Sequence, residues 1–127
     1  MSVLSSSGIV LVKLMEDMPR GPKREGVFAL WLTLRVAEDA FLLPPPPERA
    51  MRRRVAALEQ RFSSLTLPAP LRRALGAALA ELKEPRREQA ALVLQQLVAP
   101  AREVLGAEAG EVLGKAARAA VQRARDE

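Results

Sequence analysis

The chain predicts an all-α fold: a single-domain bundle of four to five helices with proline-marked connections and an irregular N-terminal arm. Three observations carry this. Apolar residues recur at three- and four-residue spacing in successive segments, the period of a helix buried on one face. Nine of the ten prolines fall between or at the edges of those segments, where proline ends or opens a helix rather than breaking it. Only one stretch, residues 8–15, has the β-branched content of a strand, and no second candidate exists to pair with it. At 127 residues the length fits one domain with a modest core.

Residues 1–24 read as an arm and loop, and residues 25–127 as the helical domain. Residues 1–7 are a small polar lead-in. In GIVLVKLM, Ile9, Val10 and Val12 favour a strand, but a lone strand cannot satisfy its own backbone. The segment is therefore an extended arm or a short helix, with pairing to another chain as a further option. Residues 19–26, PRGPKREG, hold two prolines and two glycines and read as a loop.

Residues 27–43, VFALWLTLRVAEDAFLL, form the expected central helix. Between Val27 and Leu34 only Thr33 is polar, so the helix must be enclosed on several sides, with Trp31 in the core. Arg35, Glu38 and Asp39 interrupt the run too early for a bilayer span of about 20 apolar residues. Pro44 to Pro47 then stop the helix and favour a stiff extended segment. Residues 48–65 place Met51, Val55, Leu58, Phe62 and Leu65 in one narrow stripe, and residues 71–84 do the same with Leu71, Leu75, Ala78, Leu79 and Leu82. Pro85 suits the first position of the next helix, 85–99, which carries Ala90, Val93, Leu94 and Leu97 on one face and Leu92 on the other. Pro100 is expected to kink or split this helix before residues 102–105. The last helix, 107–125, sets Glu108, Glu111, Lys115, Arg118, Gln122 and Arg125 opposite an apolar face built mostly of alanine.

Composition limits the chemistry. The chain has no Cys, His or Tyr, which removes disulfides, thiolate nucleophiles, the commonest general acid-base and the commonest transition-metal ligand together. No phosphate-binding glycine loop is present, and Glu38-Asp39 and Glu108 with Glu111 are the closest carboxylate pairs. The expectation is a protein that is no enzyme, takes no cofactor, metal or small-molecule substrate, and does not enter a membrane. No basic region or small-residue cleavage site marks a signal peptide, so a cytoplasmic location is expected.

Charge is concentrated. Residues 1–43 and 74–127 each sum to zero, so the net charge of +5 lies in residues 48–73, in Arg49, Arg52, Arg53, Arg54, Arg61, Arg72 and Arg73 against Glu48 and Glu59. Arg49, Arg52, Arg53, Arg54, Arg72 and Arg73 form a candidate polyanion- or partner-binding face, since guanidinium groups match phosphate oxygens. A solvated face is the alternative, as aromatic stacking residues and a nucleic-acid-binding motif are both missing. Gly106, Gly110 and Gly114 recur every four residues, a candidate helix–helix contact, because each interior glycine costs about 1 kcal/mol relative to alanine. A helix cap at Gly106 with two tolerated glycines is the competing reading. The function expected is an interaction protein, an oligomer or accessory subunit working through helix–helix contacts, with nucleic-acid binding through residues 48–73 as the alternative.

Overall fold

The computed structural model describes residues 3–126, and every regular element among them is a helix. In chain order these are α1 (Val3–Glu16), α2 (Pro22–Asp39), α3 (Glu48–Ser63), α4 (Ala69–Leu82), α5 (Arg87–Leu105) and α6 (Ala107–Arg125). Six helices thus replace the four to five expected.

The additional helix is α1, which takes the place of the irregular N-terminal arm; of the two alternatives left open for residues 8–15, an extended arm or a short helix, the chain adopts the helix, and a longer one. Leu4, Ser7, Gly8 and Leu11 fall on one stripe and are buried, with Met15 beside them. A helix satisfies its own backbone, as an isolated strand cannot, and turning this stripe inward outweighs the strand preference of Ile9 and Val10, which end up outside. The expected loop 19–26 is shorter too. Pro22 occupies the first turn of α2, where its missing N–H costs nothing, so only residues 17–21 connect the two helices.

α2 is the central element, packed against α1, α3, α4 and α5. Val27, Ala29, Leu30, Leu34, Val36 and Ala37 are buried, as is Thr33, whose hydroxyl donates to the Ala29 carbonyl at 2.8 Å and so carries no unpaired polar group into the core. The helix ends at Asp39 rather than Leu43. The amides of Ala40, Phe41 and Leu42 fold back on the carbonyls three residues earlier, and Leu43 is 79% exposed ahead of the prolines.

Trp31 is a correction: it is partly buried, at the rim between α1 and α2, rather than in the core. A core filled by leucine and alanine leaves no space for an indole on its axis. The ring lies 6.0 Å from Phe28 and under the Arg35 guanidinium, and a Cβ on Gly8 would stand 3.6 Å from it.

The stripes of the remaining helices face the core. Met51, Val55 and Phe62 of α3 are buried, Leu58 and the following Leu65 partly so, and all five stripe residues of α4 are buried. α5 opens at Arg87, two residues after Pro85, and runs continuously through Pro100, so of the kink or split expected there the split does not occur. The lost donor is offset by the packing of Leu97, Ala101 and Leu105 on either side. Gly106, at φ 105°, closes α5 and opens α6 in a single residue, a conformation that favours glycine. Gly26, expected in a loop, sits where α2, α4 and α5 meet: a Cβ there would stand 2.8 Å from Leu71 and 2.9 Å from Leu105. Among the described residues no helix is long and apolar enough to cross a membrane.

Leu30→Ala is expected to cost about 2–5 kcal/mol, as for a fully enclosed leucine, and Trp31→Ala less than the roughly 3–5 kcal/mol of an enclosed aromatic. Urea unfolding of both variants checks this; a larger loss for Trp31→Ala would contradict its rim position.

Candidate interaction surfaces

The arginine face is divided by its own partners. Arg52 pairs with Glu48 one turn before it at 2.8 Å, and Arg54 pairs with Asp39 at the end of α2. Arg61 covers the Phe28 ring, with its guanidinium carbon 5.0 Å from the centroid. Arg72 donates to the Leu65 carbonyl at 2.6 Å, closing the turn between α3 and α4. Arg49 and Arg53, one turn apart on α3, and Arg73 on α4 are exposed and make no ion pair or hydrogen bond among the described residues. Arg49, Arg52 and Arg53 border one shallow depression with Glu48 and Ala56. The six candidates therefore include three free cations rather than a continuous charged surface.

The glycine stripe also divides. Gly106 is the exposed turn between α5 and α6, with no atom near enough to meet an added Cβ. At Gly110 a Cβ would lie 2.7 Å from the Arg102 Cβ and 3.1 Å from its Cα, so this glycine lets α6 close onto α5 within the chain. Gly114 is buried, yet an added Cβ would meet only Arg118 of its own helix, at 3.4 Å.

A third surface lies on α1, the segment for which pairing with another chain was one option. The stripe that buries Leu4 and Leu11 turns Ser6, Ile9, Val10 and Lys13 outward, leaving Ile9 45% and Val10 42% exposed. Grooves run along both flanks of this ridge. Toward α6, a groove of about 420 Å³ is lined by Ser6, Ser7, Val10, Leu14, Val112 and the charged Glu108, Glu111 and Lys115. Toward α2, one of about 530 Å³ includes Ile9, Val12, Trp31, Arg35 and Glu38. Trp31 and Val112 belong to this surface through tertiary packing, which a one-dimensional pattern does not contain. Leu92 is also exposed, alone on the outer side of α5.

At the N-terminal end of the ridge, Ser5 donates to Glu38 Oε2 at 3.4 Å, which sets the start of α1 beside the end of α2 and makes the two helices antiparallel. Burial pushes the Glu38 carboxyl above its ordinary value; the Ser5 hydrogen bond and Arg35 oppose this, Asp39 adds to it, and Arg123 opposes it again. Two guanidinium groups lie over the nearby Phe41 ring, Arg87 at 5.7 Å and Arg123 at 4.9 Å from its centroid, each also donating to the Phe41 carbonyl at 3.4 Å. Cations thus gather at the carbonyl end of α2, where the helix dipole favours them. Nothing in the spacing of residues 41, 87 and 123 announces this cluster.

Among the described residues no group of three or more Asp or Glu side chains converges as a metal site. Family models, curated proteins and solved structures give no match to the chain. What these surfaces do must therefore be argued from their own chemistry.

Gly110→Ala is expected to lower the melting temperature, since the new methyl strikes the α5 backbone, whereas Gly114→Ala should be neutral or raise it through better helix propensity, worth up to about 1 kcal/mol. Equal melting temperatures for the two would refute the close approach at Gly110. A carboxyl whose pKa is raised on folding binds its proton more tightly in the folded state, so its contribution is most favourable below the unfolded value and is lost as pH rises through the folded one. Glu38→Gln should accordingly improve in stability relative to the parent between about pH 4 and pH 7. Denaturant titrations at both pH values check the sign; a Gln variant that loses ground toward neutral pH refutes it.

Proposed function

We propose that the six helices form a bundle around α2 that acts as a non-enzymatic interaction protein in the cytoplasm, an oligomer or accessory subunit that binds protein through the outer face of α1. The observation that carries this reading is the paired exposure of Ile9 and Val10 on a ridge whose flanking grooves have apolar linings from Leu14, Val112 and Trp31. Adjoining apolar side chains left in water at the centre of a shaped surface, with charges at its margin, have the anatomy of an interface core and rim. The absence of Cys, His and Tyr supports a contact role over a catalytic one.

Nucleic-acid binding is the second reading, favoured by Arg49, Arg53 and Arg73. Three phosphate contacts give a salt slope of no more than about −2.7 and little affinity at physiological salt. The partners already held by Arg52, Arg54, Arg61 and Arg72 count against a larger footprint.

A photo-reactive phenylalanine analogue at position 10, introduced in the native cell, is expected to yield a covalent adduct with protein, and the same group at exposed Gln95 of α5 is not. No protein adduct from position 10 would overturn the contact reading. Duplex DNA retained at about 0.15 M salt, and released by Gln at Arg49, Arg53 and Arg73, would establish the second reading instead.

A further inference from the structure

The protein-contact reading leaves the occupant of the α1 face open, and the shape and charge of that face identify one. We infer that the occupant is a second copy of this chain, the two α1 helices pairing antiparallel about a twofold axis that passes between Ile9 and Val10. This rests on the α1 face being the contact surface, and it adds the partner.

A twofold contact requires a surface complementary to itself. The α1 face meets this requirement because it carries both halves of a ridge-into-groove fit: a ridge of Ser6, Ile9, Val10 and Lys13, and a groove on either side of that ridge. Side-chain ridges of one helix seat in the grooves of another, so the same element serves as insert and receptor. Foreign partners need no such match between ridge and groove.

Antiparallel pairing about that axis sets Ile9 of one copy against Val10 of the other, twice, so that each of the two exposed apolar residues is covered. Lys13 then falls opposite Ser6, a small side chain that leaves room for the long stem and accepts a hydrogen bond from the ammonium. Glu16 and Asp17, exposed at the other end of the helix, reach the N-terminal end of the facing α1. There the helix dipole favours carboxylates; the groove that Ser6 and Ser7 line carries Lys115, which can meet them, and also Glu108 and Glu111, which oppose them and instead offer partners to the facing Lys13. A parallel arrangement would instead bring Glu16 and Asp17 of the two copies together.

The excess positive charge does not oppose this approach at close range. It lies on α3 and the first turn of α4, while α1 packs on α2 and α6. What repulsion two molecules of +5 do feel is screened by salt. Salt screens this repulsion and the Glu16 and Asp17 attractions alike, so self-association centred on Ile9 and Val10 changes little as salt rises, whereas binding of a nucleic acid falls steeply. A 14-residue helix spans about 21 Å, so a contact confined to α1 and its flanks falls near the low end of specific interfaces, about 1,200 Å², and the dimer forms in a concentration-dependent way.

Sedimentation velocity of the full chain from about 1 μM to about 1 mM is expected to show the mass rise from 13.8 kDa toward twice that value, with no loss when salt is raised. Ile9→Asp and Val10→Asp should each weaken the association at least about ten-fold while circular dichroism shows the parent helix content. Because the natural chain has no cysteine, a second measurement does not depend on those variants folding. The double variant Ile9→Cys, Val10→Cys should oxidise to a disulfide-linked dimer, and Gln95→Cys should not. A chain that stays monomeric at the highest concentration, a dimer that survives both Asp variants in folded form, or equal cross-linking at position 95 overturns the proposal. The contact reading itself fails separately, when position 10 gives no protein adduct in the cell; a hetero-adduct there with a monomeric pure protein removes the second copy alone.

Discussion

Enclosure of α2 is the constraint on which the other elements depend. With apolar side chains around most of its circumference, it must be covered on several sides at once, and α1, α3, α4 and α5 supply that cover. Each covering helix consequently needs one apolar stripe and no more, and the stripes are of the narrow kind. The few polar groups admitted are satisfied: Thr33 bonds back into its own helix, and no buried side-chain nitrogen or oxygen among the described residues lacks a partner. Where two or three helices converge on α2, volume becomes limiting. Gly26 is the result, its hydrogen occupying a space that the tips of Leu71 and Leu105 otherwise fill.

The end of α2 shows how the same enclosure shapes charge. At its last turn Arg54 from α3 pairs with Asp39, and just beyond it Arg87 from α5 and Arg123 from α6 lie over the Phe41 ring. Elements distant in sequence are tied to one helix terminus by hydrogen bonds to the Phe41 carbonyl and by attraction to the ring face. One arginine of the basic 48–73 segment, Arg54, is thereby engaged within the fold, together with two from outside that segment. Among the described residues, the apolar surface that the fold leaves uncovered is the α1 ridge of Ile9 and Val10, together with Leu42 and Leu43 before the prolines and Leu92 on α5, and of these only the α1 pair stands between grooves.

α1 combines two roles with different physical demands. Its inner stripe completes the cover of α2 and packs on α6, which requires Leu4 and Leu11 to be dry. Its outer face has no structural need to be apolar, since the backbone of a helix is satisfied whatever side chains it carries outward. Ile9 and Val10 are poorer helix formers than the alanines that serve elsewhere in the chain. Their presence on the wet side is therefore a local choice against helix propensity, of the kind found where a surface meets a partner.

Helix class, the stripes of α3 to α6 and the central place of α2 were legible in the sequence, because each depends on periodicity within one segment or on the density of apolar residues along it. Pro44 to Pro47, Pro68 and Pro70 marked real boundaries for the same reason: proline acts through its own ring and its missing N–H, without reference to neighbours. Residues 8–15 stayed open between an arm and a short helix because β-branching is a local preference of a few tenths of a kcal/mol, while the gain from turning Leu4 and Leu11 inward depends on α2 and α6 being there. At Pro100 the local rule allowed a kink or a split, and core contacts on both sides keep the helix continuous. The arginine face was visible as charge, but which arginines are free is a matter of whether Asp39, Phe28 and the Leu65 carbonyl come within reach. Trp31 and Val112 reach the α1 surface from other helices. One-dimensional spacing determines what each helix turns away from water; only the packed chain decides which outward faces remain uncovered, since covering is done by residues far away in sequence.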